Sequence, residues 1–353
     1  MEFLFNPALS REEWNEFVVR HGGGFLQSYE WIGFQEKAGN TAARIIIKKD
    51  GVTVLCANAI RHALPFKKAY WYIPYGPVIS KEAQDAKEIA NFFIERFARV
   101  VGKDTIFLKI EPQEMKAQEL FAQRGKQSPA AQPQETVIID CALSEEKMLS
   151  AMKPKTRYNI KVAQRHGVKI VSPDDQTKID PEIFLSLLST TAARHRFRTH
   201  AEQYYREMLI CFLPTEVSVA NHACTARLFF AQHNTEVIAS ALVMFFGTRA
   251  TYLHGASNDT QKNIMAPYAL HWEIMNLAKK AGYREYDMWG VATERSSDET
   301  KRKWSGFSRF KLGFGGVVVE RPGAFDFPLR PLWYIIYKGG KQVSHIRSWL
   351  NVV

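Results

Sequence analysis

One order of elements, a hairpin followed by a helix and a strand, occurs twice along the chain's 353 residues and constrains the fold more than any single motif. Arg44 to Lys48 and Val52 to Ile60 read as two strands joined across Lys49-Asp50-Gly51, because Asp-Gly favours the tight hairpin turn. From Glu82 to Val101, the residues Ala86, Ile89, Ala90, Phe93, Phe97 and Val100 recur at helical spacing and form one apolar face. Thr105 to Ile110 then reads as a short strand, ended by Glu111-Pro112. Downstream, Arg227 to Gln232 and Val237 to Phe246 bracket His233-Asn234-Thr235-Glu236 as a second hairpin, and Ala250 to Gly255 adds a strand. Pro267 to Ala281 follows as a helix closed by Gly282, and Glu285 to Trp289 as the next strand. The spacing predicts two related α/β domains, the second beginning near Lys153. The length fits two units of roughly 150 residues each, and 46% apolar residues can fill their cores.

A formal net charge of +11 favours a polyanionic partner: a nucleic acid, a nucleotide diphosphate or an anionic membrane surface. A mildly basic soluble protein carries the same charge. Cys56, Cys141, Cys211 and Cys224 are scattered, without a Cys-x-x-Cys pair or His at metal-ligand spacing, so neither a disulfide framework nor a metal site is expected. Such cysteines suit a reducing cytoplasm. The first residues lack the basic and apolar regions of a signal peptide. Apolar runs such as Ala241 to Phe246 fall far short of the ~20 residues that span a bilayer. No phosphate-binding loop, dinucleotide fingerprint or Gly-x-Ser-x-Gly elbow is present, and no zinc finger or RNP motif. No cofactor is therefore expected, and whatever drives a reaction must arrive with the substrate.

Three stretches could carry chemistry. In Met152-Lys-Pro-Lys-Thr-Arg-Tyr-Asn-Ile-Lys-Val-Ala-Gln-Arg165, Pro154 suits the first position of a helix. Lys153, Lys155, Arg157, Lys161 and Arg165 follow one another with no acidic residue between, which suggests phosphate contact; a solvated basic helix is the alternative. Arg194-His-Arg-Phe-Arg-Thr-His200, with Tyr204 and Tyr205 beyond, interleaves guanidinium forks with rings, as suits a polyanion bearing sugars or bases. Phe197 and Tyr204 would serve equally well as core residues. In Lys301-Arg-Lys-Trp-Ser-Gly-Phe-Ser-Arg-Phe-Lys-Leu-Gly-Phe-Gly-Gly316 the glycines permit close backbone approach, and a partly buried Lys311 could stabilise an oxyanion. A Gly-rich strand end with a snorkelling lysine reads the same way.

These stretches resemble the FemABX family of aminoacyl-tRNA-dependent peptidyltransferases. Phe25-Leu-Gln-Ser-x-x-Trp31 is similar to its N-terminal signature, and Lys153-x-Lys-x-Arg-Tyr-Asn-Ile160 to its most recognisable segment. Tyr252-Leu-His-Gly-Ala-Ser257, Ala266-Pro-Tyr268, Trp272-Glu273 and Tyr286-Asp-x-Trp-Gly290 resemble the core of its second domain. Phe307-x-Arg-Phe-Lys-Leu-Gly-Phe-Gly-Gly316 is similar to its closing motif. Together they run from residue 25 to residue 316 in the family's order.

The resemblance implies two GNAT-like (acyl-CoA N-acyltransferase-like) domains in tandem, without the long coiled-coil arm of some members. It puts residues 1–152 plus 318–353 in the first domain, on the precursor side, and 153–317 in the second, on the tRNA side. It implies transfer of an amino acid from aminoacyl-tRNA to the side-chain amine of the peptidoglycan stem peptide, on a UDP-linked or lipid-linked muropeptide precursor. Lys311 would be catalytic at the donor end and Glu111 at the acceptor amine, with Gly313 and Gly315 leaving room for the tRNA 3′ end. Lys37, Arg198, Tyr204 and Phe310 would bind substrate, and Lys153, Lys155, Arg157 and Lys161 the tRNA. The Arg expected near the second-domain phosphate contact falls at Arg198 or at His200, and two further positions depart from the family pattern. Gln35 stands where a diphosphate-gripping Lys is common, with Lys37 two residues on, and Tyr75 precedes Gly-Pro where a basic residue is common. The expected location is the cytoplasm. Trp333, Tyr334, Tyr337, Lys338, Lys341, Arg347 and Trp349 mix interfacial aromatics with basic charge, which suits peripheral contact at the inner face of the membrane; a helix that merely closes the first domain is the favoured alternative. Two rival readings remain. One is an acyl-CoA-dependent GNAT enzyme, although Phe310 to Gly315 is a poor pyrophosphate loop; the other is an RNA-binding protein without catalysis.

Overall fold

The computed structural model describes residues 1–171, 181–195, 199–213, 222–259 and 261–350; the side chains of 195 and 341–350 are not described. The chain opens with β1 (Glu2–Phe5) and α1 (Arg11–Arg20). A capping box begins that helix: the Ser10 side chain accepts from the Glu13 amide, and Glu13 accepts from the Ser10 amide. Then come α2 (Tyr29–Lys37), β2 (Thr41–Lys49), β3 (Val52–Leu64), β4 (Lys68–Pro74), β5 (Val78–Ile79), α3 (Ala86–Val100), β6 (Thr105–Glu111), α4 (Gln118–Ala122) and β7 (Lys126–Ser128). The second stretch comprises β8 (Glu135–Asp140), α5 (Glu145–Ala151), α6 (Pro154–Arg165), β9 (Lys169–Val171), α7 (Pro181–His195), α8 (Glu202–Cys211), β10 (Thr225–His233), β11 (Glu236–Phe246) and β12 (Arg249–Ser257). It continues through α9 (Ala266–Lys280), β13 (Glu285–Gly290), α10 (Asp298–Lys311), β14 (Val317–Glu320), β15 (Ala324–Pro328) and α11 (Pro331–Leu350).

Two sheets result. The first runs β1-β2-β3-β4-β6-β15-β7, with β5 on β3; the second, read from its far edge, runs β9-β10-β11-β12-β13-β8-β14. In each, a three-strand antiparallel meander is followed by a helix and a strand parallel to the meander's last member: β4 with β6, and β12 with β13. The sixth position of each sheet is filled by exchange. β8, which follows the first half's last strand, enters the second sheet between β13 and β14, whereas β15, which follows the second half's last strand, enters the first between β6 and β7.

This exchange corrects the expected boundaries at 152 and 318. Thr136-Val-Ile-Ile139 lies before residue 152 but buries Val137 and Ile139 in the second sheet's core, and Val317 to Glu320 pairs with β8 rather than with the first sheet. The return to the first sheet begins at β15. From there α11 lays Tyr334 and Tyr337 on Phe107, with ring centroids 5.4 and 5.0 Å away, and the Tyr334 hydroxyl donates to Asp326 at 2.9 Å.

The halves also share a core. Trp14, Trp31 and Phe34 of α1 and α2 pack in one apolar cluster with Phe184 of α7, Phe212 after α8, and Leu242 and Met244 of β11. Between β9 and β10 the described residues form two helices of 15 and 10 residues.

Candidate active site

A cleft of about 1180 Å³ lies between the halves. The first half lines it with Gln35 of α2, Ile60 and His62 of β3, Pro74 of β4 and the loop 130–134; the second supplies His200, Tyr204, His254, Trp289, Gly290 and Lys311.

The end of β13 sets the geometry. Its pairing with β8 slips between Asp287 and Gly290, and Trp289 adopts φ 59°, a left-handed conformation that costs a bulky residue energy. Asp287 holds the distortion: its carboxylate accepts from the Trp289 amide at 2.8 Å and from the Thr136 hydroxyl. The bulge wedges the indole against Phe25 and Tyr75, each 5.5 Å between centroids. The Gly290 carbonyl then accepts from Lys311 Nζ at 2.9 Å.

Lys311 ends α10 with 8% of its surface exposed, and its Nζ lies 5.3 and 5.1 Å from the ring centroids of Tyr252 and Phe307. Burial pushes its pKa down to about 7, against the opposing pull of Asp287. The side chain therefore exchanges between ammonium and amine near neutral pH. His254 shares the cleft wall; burial, with help from His200 and Lys311, lowers its pKa to about 3, so the imidazole is neutral.

Of the residues singled out from the sequence, Lys311 and Tyr204 line the cleft together, the latter with its ring stacked on His200 at 4.0 Å. Glu111 does not reach the cleft. It is 1% exposed, and its carboxylate accepts from the Tyr72 hydroxyl at 2.6 Å and from the amides of Ala131 and Gln132 at 3.1 and 3.0 Å. Those two residues do line the cleft, so Glu111 acts as an anchor beneath a wall. Burial raises its pKa, partly offset by these bonds.

Lys37 is also displaced from its expected role. Two residues along a helix point nearly opposite ways, so Gln35 faces the cleft while Lys37 is exposed beside Cys211. Phe310 points into the second half's core against Tyr268, His271 and Phe314, not toward substrate. Arg198 lies outside the described residues.

In α6, Lys153, Lys155 and Lys161 are exposed, whereas the Arg157 guanidinium turns back onto the carbonyls of Leu149 and Met152 at the end of α5. The helix starts beside the Lys311 turn, its Lys153 amide donating to the Gly313 carbonyl at 2.9 Å. The glycines serve this approach rather than open space. A Cβ on Gly313 would sit 2.5 Å from Thr156 Oγ1, and one on Gly315, at φ 82°, 2.6 Å from the Ala151 carbonyl oxygen.

Sequence reading did not assign roles to His254, Trp289 or Glu135. The first two lie inside quoted stretches, but only the bulge at β13 reveals Trp289, and Glu135 becomes visible once β8 joins the second sheet. There Glu135 accepts from Thr293 and Ser296, fixing the loop before α10. Among the described residues no group of His, Cys, Asp and Glu could hold a metal ion.

Two sheets of one plan, locked by exchanged strands around a lysine-bearing cleft, define a protein of two tandem GNAT-like domains. A solved tandem GNAT protein from the clavulanic acid biosynthesis pathway shares this fold with a TM-score of 0.52 at 11% identity, over 93% of this chain and 99% of that one. The chain belongs to the FemAB family, whose model matches residues 9–140, 121–221 and 215–341. It is similar to the lipid II:glycine glycyltransferase of Staphylococcus aureus, 22% identical over 412 aligned positions that cover 93% of this chain and 94% of the relative. The crystal structure of FemX superposes with a TM-score of 0.78 at 20% identity, covering 95% of this chain and 100% of the other. Its enzyme class is that of an aminoacyltransferase.

Proposed function

We propose that the chain transfers an amino acid from aminoacyl-tRNA to the side-chain amine of a peptidoglycan stem peptide. The acceptor follows from the similarity to a lipid II:glycine glycyltransferase. The donor is supported by the exposed lysines of α6, which begin at the turn that carries Lys311.

The observation that carries the reading is Lys311 itself, a buried cation-capable side chain facing a cleft walled by both halves. The acceptor nitrogen attacks the ester carbonyl carbon. A C–N bond forms and the C–O bond to the ribose breaks; the ribose oxygen keeps the electron pair and takes up the proton the amine gives away. Between these events the carbonyl oxygen is an oxyanion, and the Lys311 ammonium stabilises it more than the uncharged ester. The Gly290 carbonyl orients Nζ, and the rings of Tyr252 and Phe307 limit water around it. The ester is already activated, so no nucleotide hydrolysis is required.

The first half holds the precursor, with its own Gln35 and the second half's Tyr204 on the precursor's path, and Glu111 acts as a positioning residue. The second half and α6 hold the tRNA. Charged tRNA places the reaction in the cytoplasm, at the inner face of the membrane if the acceptor is lipid-linked.

The test is incorporation of labelled amino acid into a muropeptide acceptor from charged tRNA, with and without RNase. Incorporation abolished by RNase is the expected result. Incorporation that survives RNase and requires acyl-CoA contradicts the reading.

A further inference from the structure

Phe66 and Leu332, the most exposed large apolar side chains among the described residues, stand on neighbouring elements. At the tip joining β3 to β4, Phe66 is 78% exposed, and both Phe66 (φ 60°) and Lys67 (φ 55°) hold the left-handed conformation that non-glycine residues avoid. Beside the tip lies the first part of α11. Its inner face closes the first sheet through Tyr334 and Tyr337, while Leu332, Ile335 and Ile336 are 78%, 65% and 57% exposed on the outer face. Trp333 joins the two features, its ring 6.3 Å from Phe66 and 4.5 Å from Lys68 Nζ.

Within the two segments that carry these prongs the charge has one sign. Lys67, Lys68 and Lys338 flank them, and neither residues 61–70 nor residues 331–350 contain an Asp or Glu. Apolar prongs ringed by lysines complement the acyl chains and phosphates of an anionic bilayer. A soluble partner's apolar patch would not call for the surrounding cations.

The same hairpin leads into the active site. His62 lines the cleft and stacks on Tyr70 at 4.9 Å, and Phe66 lies four residues further along at the hairpin's tip. Tyr70 in turn stacks on Phe107, which carries α11.

We propose that the β3–β4 tip and the outer face of α11 dock on an anionic phospholipid surface, so that the cleft receives its acceptor from the membrane in lipid-linked form. The choice of acceptor rests on the function proposed above; the docking surface does not. It differs from the contact expected from the sequence, since Tyr334 and Tyr337 pack inward and Phe66 takes their place.

The test is co-sedimentation of the full chain with phosphatidylcholine vesicles, with and without phosphatidylglycerol. Binding is expected only with the anionic lipid and should weaken as salt rises. Phe66→Asp and Leu332→Asp should each lower vesicle affinity by about tenfold or more, without a change in unfolding temperature, because both side chains stand in solvent. Lys67→Glu with Lys338→Glu should do the same without touching an apolar group. On a soluble muropeptide acceptor these variants should turn over as the parent does; on an acceptor embedded in vesicles they should be slower. Vesicle binding is read without any transfer reaction, so it persists if the proposed chemistry fails. A parent chain that does not bind anionic vesicles overturns the docking proposal, as do variants that bind as well as the parent. A parent dimer that Phe66→Asp makes monomeric, with no vesicle binding, would assign the patch to a second copy of the chain.

Discussion

Lys311 has a cost as well as a use. Its folded pKa is about 7, against a usual 10.5. Below pH 7 both folded and unfolded chains hold the proton, and folding bears the full penalty of burying an ammonium. Between 7 and 10.5 the unfolded chain binds more protons, so this group's contribution makes stability rise with pH. Above 10.5 both states are neutral and the penalty is gone. Lys311→Met should therefore be more stable than the parent at pH 6, with the advantage shrinking toward pH 10; unfolding midpoints of both chains across that range check it. An advantage that does not change with pH would mean that Lys311 is not desolvated as described. Glu111 presents the opposite case, a carboxylate committed to structure. Glu111→Gln keeps one acceptor oxygen but turns an amide toward the backbone N–H groups of Ala131 and Gln132. The expected loss is about 2 kcal/mol in urea unfolding, with KM for the acceptor rising more than kcat falls. Unchanged stability with kcat reduced by orders of magnitude would put the carboxylate on the substrate instead.

At the scale of elements, α6 separates what the sequence displays from what it hides. Its cations and its start at Pro154 are legible in the chain, because a proline at the first helical position and an unbroken basic run are local signals. That Arg157 spends its guanidinium on the end of α5 is not, since that bond depends on how two helices meet. Neutralising Lys153, Lys155 and Lys161 should weaken tRNA binding and flatten the dependence of log affinity on log salt by about two to three units, close to one for each lost phosphate contact. An unchanged slope would move the tRNA to another surface. The strand exchange was hidden for a related reason. Residues 136–139 and 317–320 are recognisable as short apolar strands, but periodicity says nothing about which sheet will pair with them. The boundary expected at 152 put the first of them in the wrong half, and the chain end's expected return to the first domain did the same for the second. By contrast, the helix expected over 82–101 forms over Ala86–Val100, because an apolar face at helical spacing is fixed locally.

The whole molecule explains why so much of the site escaped one-dimensional reading. The cleft exists only because α1 and α2 of one half share a core with α7, α8 and β11 of the other. That packing turns Gln35 inward, leaves Lys37 outside, and brings His254, the bulged Trp289 and His62 into one cleft. Lys311 and Tyr204 were legible as candidates, but the strained Trp289 backbone that presents the Gly290 carbonyl to Lys311 depends on the pairing of β13 with β8. Everything in the functional account converges on that lysine, so its chemical step is the place to test it. In a single turnover with charged tRNA and saturating muropeptide acceptor, Lys311→Met should transfer the amino acid roughly ten- to a thousandfold more slowly than the parent, the range for loss of one oxyanion-stabilising group, while the acceptor's Kd stays the same. A near-normal rate, or a normal chemical step with lost acceptor affinity, would contradict a Lys311-centred transfer.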